Sequence, residues 1–171
     1  MYEYKRSQYD LHSIKLAPNF TASEFMCPHC GDVFIDGRLV SGLQQLRDVL
    51  QAPIYIASSY RCPEHERVVA NTSQSVHSRG LAADFNLGRI KLILNVFQMC
   101  VPIFHRVGIY QTAPDIGFIH VDMDTTRSHL YWLNNRVRTG RDAYEYYDSV
   151  ELLQKAIRQQ RPAVRWATIV I

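Results

Sequence analysis

The chain has 171 residues, 47% of them hydrophobic and 20% charged, which suits a single globular domain with a real core. Its net charge of +3 is compatible with anionic polymers but too small to argue for nucleic-acid binding. No apolar run approaches the length of a membrane span.

Residues 1–19 read as a polar lead-in. The opening Met1-Tyr2-Glu3-Tyr4-Lys5-Arg6 is not followed by an apolar leader core, so no secretory signal is expected. Cys27-Pro28-His29-Cys30-Gly31 has the form of half a metal knuckle, and Cys62-Pro63-Glu64-His65 offers the other half. Cys27, Cys30, Cys62 and His65 would make a Cys₃His structural zinc set with two-residue spacers in both halves. A disulfide between Cys62 and one of the pair, or free thiols, are the competing states. Between the two halves, Asp36-Gly37 marks a turn, and Leu39, Leu43, Leu46 and Leu50 then share one helical face. Pro53 to Ser59 is strand-like, with Ile54 and Ile56 on one side.

Glu64 to Ala70 reads as a short helix leading into a loop marked by Ser75, Ser78 and Gly80. Leu81 to Leu87 reads as a short strand carrying Asp84 among mostly apolar neighbours, where an acid is costly to bury unless paired or bound to a metal. Arg89 to Val101 is a helix apolar nearly all round and therefore expected to be buried, with Cys100 packing in the core. Arg106 to Tyr110 is another strand. Gly117 to Met123 alternates, so Phe118, His120 and Asp122 share one face while Ile119, Val121 and Met123 share the other.

Residues 133–171 form a C-terminal extension. It holds a basic, tyrosine-rich stretch (Arg136, Arg138, Arg141, Tyr144, Tyr146, Tyr147) and a helix from Ser149 to Gln159 with Val150, Leu153 and Ile157 on one face. It closes with the apolar run Trp166 to Ile171. That run is either an extra strand of the same domain or a contact to an oligomer or larger assembly such as a virion. The order of elements predicts an α+β fold: an antiparallel sheet packed with helices and carrying a zinc site on one face.

That site would be built from His77, Asp84 and His120. Two imidazoles and a carboxylate form a nitrogen and oxygen set that suits zinc, and three protein ligands leave the fourth tetrahedral position open, as in hydrolytic rather than structural centres. Any one of these residues alone would be unremarkable; the pattern carries the argument.

Ser59-Tyr60-Arg61, then Ser75-x-His77 with Gly80 and Asp84, then His120-Val121-Asp122 resemble the zinc D-Ala-D-Ala carboxypeptidase family, one of the peptidoglycan-cleaving metallopeptidases. The resemblance extends upstream through Phe20 to Phe25, the Cys27 to Gly31 knuckle and Leu39 to Leu50. It covers roughly residues 18 to 132, which places the peptidase domain at 20–132. It implies that His77, Asp84 and His120 bind a catalytic Zn²⁺, that Arg61 neutralises an oxyanion or a substrate carboxylate, and that Ser75 lies beside the scissile bond, although Ser75 also suits a turn. A guanidinium on the loop after an apolar strand (Pro53 to Ala57) is independently well suited to a planar anion.

The sequence departs from part of this family at the general base. Several relatives carry an acid three residues before the last histidine ligand, or a histidine five before it; here those positions are Gly117 and Asp115. Asp122 is the first choice for the base, with Asp115 the alternative, and Asp122 is equally suited to fixing the tautomer of a ligand imidazole. The implied function is hydrolysis of peptidoglycan stem peptides or cross-bridges, of carboxypeptidase or endopeptidase type. The alternative is a non-catalytic wall-binding or virion structural protein that keeps the fold. A wall enzyme without an export signal fits release by lysis or carriage in a virus particle, as with bacteriophage endolysins.

Overall fold

A computed structural model describes residues 1–86, 93–113, 116–135 and 143–159. Two small ribbons open the chain. Strand β1 (Tyr2–Tyr4) pairs antiparallel with β4 (Val33–Ile35), and β2 (Lys15–Ala17) pairs with β3 (Phe20–Thr21), which leads into a 3-10 turn at Ala22–Phe25. The polar lead-in is thus paired with later chain, and Leu11 within it is buried in the core.

Helix α1 (Gly37–Leu50) starts where Asp36 accepts the Arg38 backbone N–H at 2.8 Å, so the residue read as a turn also caps the helix. Its expected face is buried at Leu39, Leu43 and Leu46, joined by Val40. Strand β5 (Tyr55–Ser58) and helix α2 (Pro63–Ala70) follow, with Cys62 at the N-cap and Pro63 in the first turn, where its missing N–H costs nothing. Then come β6 (Ala82–Asn86), α3 (Ile93–Cys100), β7 (Arg106–Ala113), β8 (Ile116–Asp122), β9 (Leu130–Asn135), β10 (Tyr144–Tyr147) and α4 (Val150–Gln159).

Among the described residues, six strands form the main sheet in the order β10-β9-β7-β8-β6-β5. The sheet is antiparallel except that β7 and β9 run parallel. This corrects the wholly antiparallel expectation. The chain leaving β8 reverses but crosses the end of β7 before pairing, so β9 lies on the far side of β7 and shares its direction. Asp124 braces that crossing: it accepts hydrogen bonds from the Thr126 hydroxyl (2.6 Å) and backbone N–H (3.2 Å), and it pairs with Arg79.

Alternation sorts the sheet into two faces. Ala83, Phe85, Val107, Ile109, Ile119, Val121, Tyr131 and Leu133 turn inward to meet α1, α3 and α4 in one core. Helix α4 belongs to that core through Leu153 and Ile157, and it packs on β9 and β10. In α3, Val96, Phe97 and Cys100 are buried but Gln98 is exposed, so this helix is buried on one side and not all round. The run Trp166 to Ile171 and the arginines at 136, 138 and 141 lie outside the described residues. Among the described residues, no helix is long and apolar enough to cross a membrane.

Candidate metal centre

The opposite face of the sheet carries the polar residues. Cross-strand register sets Ser58, Asp84, His120, Gly108 and Trp132 side by side on β5, β6, β8, β7 and β9. Asp84 and His120 are therefore direct neighbours, with Asp84 Oδ1 2.7 Å from His120 Nδ1. His77 reaches the same point from the loop between α2 and β6. Its Nε2 lies 3.3 Å from His120 Nδ1 and 3.6 Å from Asp84 Oδ2. Ligands about 2.0–2.2 Å from a tetrahedral ion stand roughly 3.3 Å apart; the two His77 separations are near that spacing, while Asp84 Oδ1 and His120 Nδ1 are at hydrogen-bond distance.

Each imidazole is held by its other nitrogen. His77 Nδ1 donates to the Ser59 carbonyl at 2.8 Å, which leaves Nε2 facing the triad. His120 Nε2 sits 3.3 Å from Asp122 Oδ2, on the opposite side of the ring from Asp84. Asp122 is fully buried, accepts the Asp124 backbone N–H at 3.0 Å and lies 3.6 Å from the Arg106 guanidinium. Its described contacts are those of a group that orients His120. Asp115 lies outside the described residues.

The loop that delivers His77 is closed by local chemistry. Ser75 Oγ accepts the backbone N–H groups of His77 (3.1 Å) and Ser78 (3.2 Å), which is the turn role for Ser75, and the residue also lines the groove. Gly80 has φ +68, and a Cβ there would fall 2.4 Å from the Phe34 carbonyl oxygen, so only glycine fits.

Burial alone would raise the Asp84 carboxyl, but the charge of His77 and the hydrogen bond with His120 hold it well below the usual carboxylate range. Burial likewise opposes a charge on His120, yet Asp122 and Asp84 on either side push its pKa up to about 9. A ligating imidazole must be neutral, so a proton competes with the metal. Zinc affinity is expected to climb by about tenfold per pH unit up to about pH 9 and then level off. Competition with a chromophoric chelator across that range measures it; a flat profile would contradict the assignment of His120 Nδ1. By the same linkage, the stabilisation His120 gives the metal-free fold is complete below its ordinary pKa and disappears as pH rises through about 9.

The triad opens into a groove of about 710 Å³. Val68 and Val69 of α2 form one rim, and Tyr144 and Tyr146 of β10 form the other. Arg61 enters from the loop after β5, and its Nε lies 2.6 Å from Glu66 Oε2, an ion pair rather than an aligned hydrogen bond. Glu66 is 1% exposed. Sequence reasoning passed it over because a glutamate in a short helix looks like a solvated one; only its partner distinguishes it.

Trp132 is the second residue missed. Its indole lies over Gly108, 5.2 Å from the His120 ring and 5.2 Å under the Arg106 guanidinium. A Cβ at Gly108 would come within 2.1 Å of that indole. Gly108→Ala is expected to destabilise the fold by about 1–3 kcal/mol, lowering the melting temperature by roughly 2–4 °C per kcal/mol, and to weaken zinc binding by shifting the indole off His120. Calorimetry with metal titration checks both.

Two imidazoles and a carboxylate converge on one point, each imidazole steered by a backbone or carboxylate oxygen and the set facing an open groove, which is an arrangement that could hold a metal ion. The chain belongs to the peptidase M15 family, the zinc D-Ala-D-Ala carboxypeptidase-type metallopeptidases: the family model described as Peptidase M15 matches residues 18–122, more than half of the chain. No curated protein matches the chain. The matched segment holds the triad, Arg61 and the cysteines, and it ends at Asp122, before the strands that supply Trp132, Tyr144 and Tyr146.

Proposed function

We propose that this protein is a zinc peptidase that hydrolyses peptide bonds in bacterial peptidoglycan, in stem peptides or cross-bridges, with His77, Asp84 and His120 as ligands. The observation that carries the reading is the convergence of these donors with each imidazole fixed by its far nitrogen. A zinc ion at this point would polarise the scissile carbonyl and acidify water. The Arg61 guanidinium, held by Glu66, faces the groove where negative charge develops on the carbonyl oxygen. Asp122 keeps His120 in the ligating orientation, and Asp115, five residues before His120, accepts the water proton and returns it to the leaving amine. The size of the groove supports a substrate longer than a dipeptide, which favours an internal bond over a terminal D-Ala.

The two acids are separable by experiment. Asp122→Asn is expected to weaken zinc binding by about 10–100-fold while activity recovers at saturating zinc. Asp115→Asn should keep zinc and lose turnover by about 10²–10⁴-fold. The reverse pattern would make Asp122 the base. One observation favours a second reading: apart from Asp84 and Asp122, no carboxylate among the described residues lines the groove. A wall-binding protein that keeps the fold would bind zinc and peptidoglycan yet release no peptide. Release of fragments from purified sacculi, abolished by chelation and restored by zinc, rules that out.

A further inference from the structure

We infer that Cys27, Cys30 and Cys62, completed by His65, form a structural zinc site that clamps the loop carrying Arg61. The three sulfurs lie within 4.8 Å of one another, and none is in a disulfide. Sulfurs about 2.3 Å from a tetrahedral zinc stand roughly 3.8 Å apart, so the cluster needs little adjustment to close on an ion. A disulfide would use two of the three sulfurs and leave the third beside them without a role. Backbone donors are already aimed at the sulfurs as thiolates require: the Cys62 N–H at Cys27 Sγ (3.4 Å) and the Asp32 N–H at Cys30 Sγ (3.5 Å). Cys27 and Cys62 are buried while Cys30 is exposed, which leaves an entry path for the ion.

Two histidines flank the cluster. His65 Nδ1 is 3.6 Å from Cys27 Sγ, His29 Nδ1 is 3.3 Å from Cys62 Sγ, and the two rings stack at 6.3 Å. His65 is the ligand because it sits three residues after Cys62 at the start of α2, on the same side of the helix. Its 3.6 Å separation from Cys27 also matches a sulfur and a nitrogen sharing one tetrahedral ion. His29, 3.3 Å from Cys62 Sγ, is the competing fourth donor.

The consequence lies in residues 59–62. The Ser59 carbonyl holds His77, Arg61 faces the groove and Cys62 joins the cluster, so a metal here fixes the register of a segment that serves the catalytic triad. Arg61 is then positioned from both sides, by Glu66 on α2 and by the clamp beside it.

Metal analysis of the purified chain tests this. Two zinc ions per chain are expected, with Cys62→Ser losing one and His120→Ala losing the other. Cobalt substitution of the wild-type chain should add a thiolate-to-cobalt charge-transfer band, which the nitrogen and oxygen triad cannot produce and which needs no variant to fold. His65→Ala should weaken cobalt binding at the thiolate site and shift its d–d bands, and His29→Ala should leave both unchanged; the opposite result would overturn the ligand assignment. A single zinc kept in Cys62→Ser and lost in His120→Ala, with no thiolate band, would overturn the inference and leave the peptidase reading intact. A single zinc lost in Cys62→Ser and kept in His120→Ala would do the converse.

Discussion

His120→Ala is expected to abolish zinc binding at the triad and peptide hydrolysis together. The ring joins two acids, with Nδ1 on Asp84 and Nε2 on Asp122, and it is 5% exposed. Its loss removes a ligand and leaves Asp84 and Asp122 facing each other without the imidazole between them. Zinc affinity should fall by more than the roughly 10–100-fold that loss of an outer hydrogen-bond partner costs. The metal-free protein should also lose stability by about 3–5 kcal/mol, the usual cost of stranding a buried charge. His77→Ala separates the two effects. It removes a ligand but leaves the Asp84–His120–Asp122 row intact, so zinc and activity should go while the metal-free melting temperature changes less. Metal analysis, fragment release and calorimetry on both variants are sufficient. Full activity in either one would eliminate the triad as the catalytic centre.

Arg61→Lys is expected to lower turnover by about 10²-fold with zinc content unchanged, the typical loss for one donor to a developing oxyanion. Lysine keeps a positive charge beside Glu66, whose carboxylate is 1% exposed and would otherwise be stranded, but it lacks the planar fork that matches a carboxylate or an oxyanion. Arg61→Ala should therefore cost stability as well as activity, and Arg61→Ala combined with Glu66→Gln should recover much of the stability and none of the activity. The split between constants decides which anion Arg61 meets. A fall in kcat marks the oxyanion, whereas a rise in KM at constant kcat marks a substrate carboxylate held equally in ground and transition states. No change in either would remove Arg61 from the mechanism.

The residues of the centre were legible in the sequence to different depths. The alternation through β8 sorted Phe118, His120 and Asp122 from Ile119 and Val121, because a strand's period is local and one face is apolar. The leucine face of α1 was readable for the same reason. Asp122 shows where local reading stops. Sharing a face with His120 placed it near the site, but its role depends on which ring nitrogen it meets. That follows from Asp84 occupying the other nitrogen across the sheet, 36 residues away in the chain. Glu66 and Trp132 were invisible for a related reason: one is identified by its pairing with Arg61, the other by an indole lying over a glycine on the neighbouring strand.

By itself, then, the sequence determined the family, the main helices and strands, and the face of β8 that carries His120 and Asp122, all of which rest on residue type and short-range period. Tertiary structure alone decided the parallel pairing of β7 with β9, the steering of each imidazole by Ser59 and Asp122 and the anchoring of Arg61 by Glu66. These are contacts between segments far apart in the chain. Their register is set by how whole elements pack, and no local pattern of residues encodes it.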